Sequence, residues 1–185
     1  MKNEEQGKTQ RYPTIPSDWN RLAGYSTSCP CGKVHSIDTR QFNIRAGALQ
    51  DVPQCIASLF RGRSIGMVAD ERTYSVAGQT VVELLRCAGN DVTGCIVPDG
   101  EGGRPHATFD AVLDAERRLC SVEFIVAVGS GTVNDLGKLA SYRLGIPYLI
   151  VATAPFTWKD WLPCVCRHRT RMRPLQAGSG RPARR

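Results

Sequence analysis

The chain has no apolar run approaching the ~18 residues that a membrane-spanning helix requires. Its polar opening, MKNEEQGKTQ, lacks the apolar stretch of a secretory signal. The expected location is therefore cytoplasmic, with no membrane partner. Cysteine is present eight times in 185 residues but lacks the spacing of a disulfide framework. Scattered through helix-like and strand-like segments, it suits a reducing compartment and no structural disulfides. Excess charge is also missing from most of the chain. Residues 1–155 hold 16 Lys+Arg and 16 Asp+Glu, whereas residues 156–185 hold eight basic residues and one acid, so 8 − 1 gives the whole formal charge of +7. The body of the protein has no basic footprint for nucleic acid, which is not an expected partner.

What is there reads as one domain, since ~100 to 200 residues is the usual span. Residues 1–28 are polar, contain Pro13 and Pro16, and are expected to be a mobile leader. Residues 29–155 form the expected domain. Asp51 before Val52 and Pro53 reads as an N-cap with proline in the first turn, and Val52, Cys55, Ile56 and Leu59 share one helical face. From residue 64, short apolar runs (65–69, 92–97, 124–128 and 148–152) alternate with helical stripes. These stripes are Ala77, Val81, Leu84, Leu85 and Ala88; then Phe109, Val112 and Leu113; then Val133, Leu136, Ala140 and Leu144. Strand starts recur at about the 30-residue length of a βαβ unit. Near-continuous apolar strands indicate a sheet covered on both faces. The expected architecture is α/β, a doubly wound parallel sheet of Rossmann-like type, with its ligand at the carboxyl ends of the strands.

The segment 124–138, FIVAVGSGTVNDLGK, carries the most information. A buried strand ends at Val128, Gly129, Ser130 and Gly131 make a tight turn, and a helix starts near Thr132. Glycines let a backbone approach a phosphate closely, and a helix start offers free amides and the positive dipole end. A pyrophosphate is the natural guest. As a bare motif it is weak, because Asn134 stands where GxGxxG has its third glycine and no acid is evident about 20 residues on. Thr132 and Asp135 also read as a capping pair, so Asp135 has a purely local alternative. Asp70 ends the first strand, where a carboxylate could accept both hydroxyls of an adenosine ribose and repel a 2′-phosphate. Its alternative is to cap the helix that follows.

VADERTYSVAG (68–78) and VAVGSGTVNDLGKLASYRLGIPYLIVATAP (126–155) resemble the sn-glycerol-1-phosphate dehydrogenases. These belong to a superfamily that includes glycerol dehydrogenase and 3-dehydroquinate synthase, and the resemblance covers roughly residues 29–155. It implies the N-terminal, Rossmann-like domain of a dehydroquinate synthase-like fold. The implied activity is NAD- or NADP-dependent reduction of dihydroxyacetone phosphate, a phosphorylated triose, to glycerol 1-phosphate in phospholipid metabolism. It implies Asp70 at the adenosine ribose; Gly129, Ser130, Gly131, Thr132, Val133, Asn134 and Asp135 at the pyrophosphate and nearby nicotinamide; and Thr153, Ala154 and Pro155 on the nicotinamide side. It further implies a homo-oligomer when full length and a divalent metal, zinc or nickel, held by an Asp and two His of a helical C-terminal domain. That domain is expected to be missing, so the chain itself is expected to be inactive, with no catalytic or metal residues. Glycerol dehydrogenase is the nearest competing activity.

After ATAP the family pattern runs approximately Ser-Met-Asp-Gly-Tyr/Phe-Ala-Ser, whereas this chain has Phe156, Thr157, Trp158, Lys159 and Asp160. Back-translating Thr157 to Cys164 with one choice of codons, and starting at the third base, reads Met-Glu-Gly-Leu-Ala-Ser-Val. A frameshift near residue 156 is therefore expected, leaving 156–185 as a disordered basic tail whose Cys164, Cys166 and His168 carry no role. The alternative is a natural tail that makes the chain a non-enzymatic, dinucleotide-binding module with an anionic partner. Cys29-Pro30-Cys31-Gly32-x-x-His35 offers thiolates and an imidazole suited to zinc. Three ligands do not close a tetrahedral structural site, and the reading taken is a turn at the domain edge. His106, alone in a loop, is expected to be solvated.

Overall fold

In the computed structural model the described residues are Pro16, residues 18–153 and the backbone of 164–167. The core is a six-stranded sheet ordered β3-β8-β7-β6-β4-β5. Here β3 is Thr39–Phe42, β4 Ser64–Asp70, β5 Asp91–Val97, β6 Phe124–Gly129, β7 Tyr148–Ala152 and β8 Cys164–Arg167. Strands β5, β4, β6 and β7 are parallel, with Ala69 beside Val128 and Gly129 beside Ala152. β8 runs antiparallel to both β7 and β3. The expected parallel sheet is present, extended on one side by β8, which runs against it, and by β3, which runs the same way as the four parallel strands.

Both faces are covered because each central strand is apolar on both sides. Ile65, Met67 and Ala69 of β4 pack with Val81 and Leu85 of α3 (Gln79–Cys87) and with Val52, Cys55 and Ile56 of α1 (Val52–Leu59). Val68 packs on the other face with Val112 and Ala115 of α4 (Phe109–Arg118) and Val133, Leu136 and Ala140 of α5 (Gly131–Leu144). Leu85, Ile125 and Leu136 are wholly buried. At ~25 cal/mol per Å2 of apolar surface, such side chains each contribute roughly 1.5–3 kcal/mol. α5 stops at Gly145, whose φ of +69° carries the left-handed C-terminal turn.

Some local expectations differ. Asp51 makes no side-chain cap for α1; its carboxylate is taken by Asn43 and by Arg45, whose Nη2 donates to Oδ2 at 2.6 Å. Residues 18–28, read from composition as part of a leader, contain a 3-10 turn, Trp19–Leu22, and strand β1, Ser26–Ser28. Asp18 accepts from the Asn20 amide at 3.0 Å, and Leu22 is buried beside the core. β1 pairs antiparallel with β2, Val34–Ser36, in a separate hairpin. Strand β8 lies in a segment with no side-chain period. Backbone pairing to a free sheet edge needs none, because the main chain supplies the donors and acceptors. The rest of the expected tail and residues 1–15 lie outside the described residues. No helix among the described residues is long and apolar enough to cross a membrane.

Candidate functional site

The chain leaves β4 toward β5 on one side, and β6 and β7 are added on the other. The winding reverses between β4 and β6, and in open α/β sheets a ligand binds in the crevice outside the carboxyl ends at such a point. Asp70 ends β4, the glycine turn follows β6, and Thr153 follows β7, so the topology gathers the sequence's candidate residues at one edge. Thr153 is tied to the turn by its amide, which donates to the Gly129 carbonyl at 3.1 Å. Ala154 and Pro155 lie outside the described residues.

The two glycines of the turn are not equivalent. A Cβ on Gly129 would lie 2.5 Å from the Val133 Cβ, so this glycine lets α5 pack down on the end of β6. A Cβ on Gly131 would meet nothing within 4 Å, which leaves a side-chain-sized space in front of the helix start. α5 begins at Gly131, one residue before the sequence suggests, with Ser130 in the N-cap position and making no side-chain cap bond. The expected Thr132–Asp135 capping pair is therefore not formed, because both residues already lie inside the helix. Asp135 is exposed and pairs with Lys138 at 2.8 Å. The N–H groups of the first turn have no intrahelical acceptor. Val133 is wholly buried and anchors the turn, whereas Asn134 Oδ1 is buried with no hydrogen-bond partner. A buried, unpaired acceptor costs ~1–3 kcal/mol, which a ligand donor would offset.

Asp70 is only 5% exposed. It caps the following helix: Oδ1 accepts from the Thr73 amide at 2.9 Å, and Thr73 Oγ1 accepts from the Asp70 amide at 3.1 Å. The local role left open in the sequence is thus present. The helix it starts, Glu71–Thr73, runs through a π turn, Tyr74–Gly78, into α3. Sequence reading missed Arg72, whose Nη2 donates to both Asp99 carboxylate oxygens at 2.6 and 2.7 Å and to the Gly103 carbonyl at 2.6 Å. Asp99 raises the Arg72 pKa and occupies its charge beside the site. The two are 27 positions apart, so no local spacing announces this pair. His106 is exposed and hydrogen-bonds through Nε2 with the Glu101 carbonyl at 2.7 Å, remote in role from the turn.

These residues fit a dinucleotide: a helix start without a side-chain cap, a space that a Cβ would fill, and an orphaned acceptor. They do not fit the catalytic metal of the family. Among the described residues the one group of three or more clustered ligand side chains is Cys29, Cys31 and His35, in the hairpin, and no Asp-His-His set exists. The hydrogen bond with His35 lowers the Cys31 thiol to about 7, helped by Cys29 and by the Lys33 backbone.

Comparison with known proteins gives three findings. Residues 43–156 match the family model described as "Iron-containing alcohol dehydrogenase". The chain is 32% identical over 136 residues to a protein of Halalkalibacterium halodurans named glycerol-1-phosphate dehydrogenase, NAD(P)+, a match covering 70% of this chain and 33% of that one. It is also 32% identical over 123 residues to a 3-dehydroquinate synthase of Enterococcus faecalis, covering 64% and 34%. The chain thus spans about a third of the length of these relatives. Among solved structures, glycerol dehydrogenase from Schizosaccharomyces pombe superposes with a TM-score of 0.50 at 19% identity, over 57% of this chain and 25% of that one. That likeness shows a shared fold.

Proposed function

The chain belongs to the iron-containing alcohol dehydrogenase family, and from that premise we propose that it supplies the dinucleotide-binding part of an NAD(P)-dependent sn-glycerol-1-phosphate dehydrogenase. The full reaction reduces dihydroxyacetone phosphate to glycerol 1-phosphate. The observation that carries this reading is the open start of α5: unpaired amides, no atom within 4 Å of a Gly131 Cβ, and an orphaned Asn134 Oδ1. The bound dinucleotide supplies a hydride. Everything else is work for the protein. The first-turn amides and dipole of α5 hold the pyrophosphate. Asn134 Oδ1 accepts a hydrogen bond from the cofactor, and Thr153 borders the nicotinamide side. Asp70 keeps Oδ1 on the Thr73 amide and offers Oδ2 to the adenosine ribose. Arg72 is held by Asp99 rather than offered to a 2′-phosphate, which favours NAD over NADP.

The divalent metal of the family, zinc or nickel, finds no Asp-His-His set among the described residues, and no step is routed through it. The chain by itself binds cofactor without turning over substrate. Two measurements test this: calorimetric titration with NAD and NADP, and turnover of dihydroxyacetone phosphate with NADH in the presence of zinc or nickel. Absence of binding by the folded chain refutes the cofactor role. Turnover by the chain, free of host enzyme, refutes its inactivity.

One observation favours a second reading, the concentration of the +7 charge in residues 156–185. A module whose basic tail recruits an anionic partner would bind it in a salt-sensitive way. Because residues 164–167 pair within the sheet, the deletion that tests this is 168–185. Retained binding after that deletion would dismiss it.

A further inference from the structure

We propose that the β1–β2 hairpin is a divalent-metal site of the zinc class, with Cys29 Sγ, Cys31 Sγ and His35 Nε2 as ligands and a fourth position left to solvent. The turn builds it. Cys29-Pro30-Cys31-Gly32 is a β-turn closed by the Gly32 amide on the Cys29 carbonyl at 2.9 Å, with proline at the second position. Gly32 has φ of +80°, the left-handed residue of a three-residue hairpin loop, after which the Cys29 amide donates to the Lys33 carbonyl at 2.9 Å. With Thr27 opposite His35 and Cys29 opposite Lys33, Cys29 and His35 are diagonal neighbours on one face of the hairpin. Cys31, in the loop, turns back toward both.

The three ligand atoms lie within 4.8 Å of one another, and Cys31 Sγ is 3.2 Å from His35 Nε2. Tetrahedral zinc, with Zn–S of about 2.3 Å and Zn–N of about 2.0–2.1 Å, needs ligand-to-ligand separations of about 3.6–3.8 Å. The Cys31–His35 edge is shorter than this and the other edges lie within about 1 Å of it, so side-chain shifts of up to about 1 Å bring the set to tetrahedral geometry. Two thiolates and a neutral imidazole balance a dication. Both thiols give up their protons to solvent on binding, and no electrons move. Cys31 and His35 are exposed and Cys29 is half-buried, which gives the ion a path in. The hairpin also needs a clip. Its strands are three residues long, almost wholly exposed, and Val34 is 68% exposed, so apolar packing does little to hold it. This hairpin is separate from the sheet that carries the cofactor turn.

The test uses the unsubstituted chain, reduced and stripped of metal. Iodoacetamide labelling is mapped at each cysteine by mass spectrometry before and after one equivalent of zinc. Zinc is expected to slow labelling of Cys29 and Cys31 by at least about tenfold and to leave the exposed Cys87 and Cys120 unchanged. Cobalt in place of zinc should give thiolate-to-cobalt charge-transfer absorption that Cys31→Ser abolishes and His35→Ala weakens. The proposal is overturned if zinc leaves Cys29 and Cys31 as reactive as before. It is equally overturned if the cobalt signal survives Cys29→Ser and Cys31→Ser and disappears in Cys164→Ser with Cys166→Ser. The labelling result involves no variant, so loss of folding in a substituted chain cannot obscure it.

Discussion

Substituting the two glycines of the cofactor turn should separate binding from folding. At Gly129 an added Cβ would sit 2.5 Å from the Val133 Cβ and 2.7 Å from its Cγ2. Val133 is wholly buried, so neither group can move away without displacing α5 from β6. Overpacking of this kind costs about 1–3 kcal/mol, and Gly129→Ala should lower the urea midpoint accordingly. At Gly131 an added Cβ meets no heavy atom within 4 Å beyond its own helix backbone and neighbours, and it lies in the first turn of a helix. Gly131→Val should therefore change stability by less than ~0.5 kcal/mol. The same side chain would fill the space proposed for the pyrophosphate and keep it from the amides. A loss of ~3 kcal/mol there is more than a hundredfold in affinity. Titration calorimetry with NAD, alongside urea unfolding followed by circular dichroism, reads both quantities on both variants. If folded Gly131→Val binds NAD as the parent does, the helix start is not the pyrophosphate site. If Gly131→Val unfolds the chain, the open space is not there.

Asp70→Ala should remove both a helix cap, at about 1 kcal/mol of stability, and the carboxylate offered to the ribose, weakening NAD more than NADP. Asp70→Ser keeps a capping acceptor, so it should weaken NAD with little loss of stability, and equal NAD affinity in parent and Asp70→Ser would dismiss the ribose role. Arg72→Ala should free the loop between β5 and α4 that it ties through Asp99 and Gly103, read as faster amide exchange over residues 98–108 than in the parent. In metal-free protein the Cys31 thiol, lowered to about 7, should alkylate at a rate set by its thiolate fraction. That rate stays high above pH 7 and falls as pH drops through that value, and His35→Ala should move the midpoint upward. A rate that still climbs steeply between pH 8 and 9 would show that the His35 hydrogen bond does not hold the thiol down.

The four parallel strands were legible because burial on both faces writes them as unbroken apolar runs. β4, expected at 65–69, occupies 64–70, and β7 matches 148–152. β1, β2 and β8 are three or four residues long, too short to carry a period, so hairpin and edge pairing left no trace in hydropathy. Polar side chains were harder than apolar ones because their partners are distant. Asp51 has the spacing of an N-cap, yet Arg45 and Asn43 claim it. Asp70 could cap a helix or face a ligand, and sequence alone could not say that its Oδ1 is already engaged. Gly129 and Gly131 are the same letter two positions apart. Only the path of Val133 distinguishes a glycine required by packing from one that leaves room for a guest. The Cys29, Cys31 and His35 set was visible as composition, but its convergence depends on a three-residue turn that sequence spacing alone did not establish.

The cofactor turn owes its geometry to backbone and core, and this decides what the chain can do alone. The α5 amides are fixed because Val133, Leu136 and Ala140, all wholly buried, seat the helix against Ile125 and Ala127 of β6. Val68 of β4 and Val112 and Ala115 of α4 pack against the same three residues, so the seat is shared by the sheet and its covering helices, and the crevice it borders is set by the β4–β6 winding reversal. In the proposed site, dinucleotide binding would therefore depend on the packed sheet and its helices as a unit. The proposed turnover would further require a polarising group opposite the nicotinamide, and no Asp-His-His set lies among the described residues. Loosening the seat should therefore act on binding without touching the site. Leu136→Ala, which truncates a wholly buried side chain about one and a half turns from the start of α5, should cost about 2–5 kcal/mol of stability. Once the fraction unfolded is accounted for, it should weaken NAD less than Gly131→Val does. A larger loss of affinity in Leu136→Ala than in Gly131→Val would mean that the helix position, not the open space in front of it, limits binding.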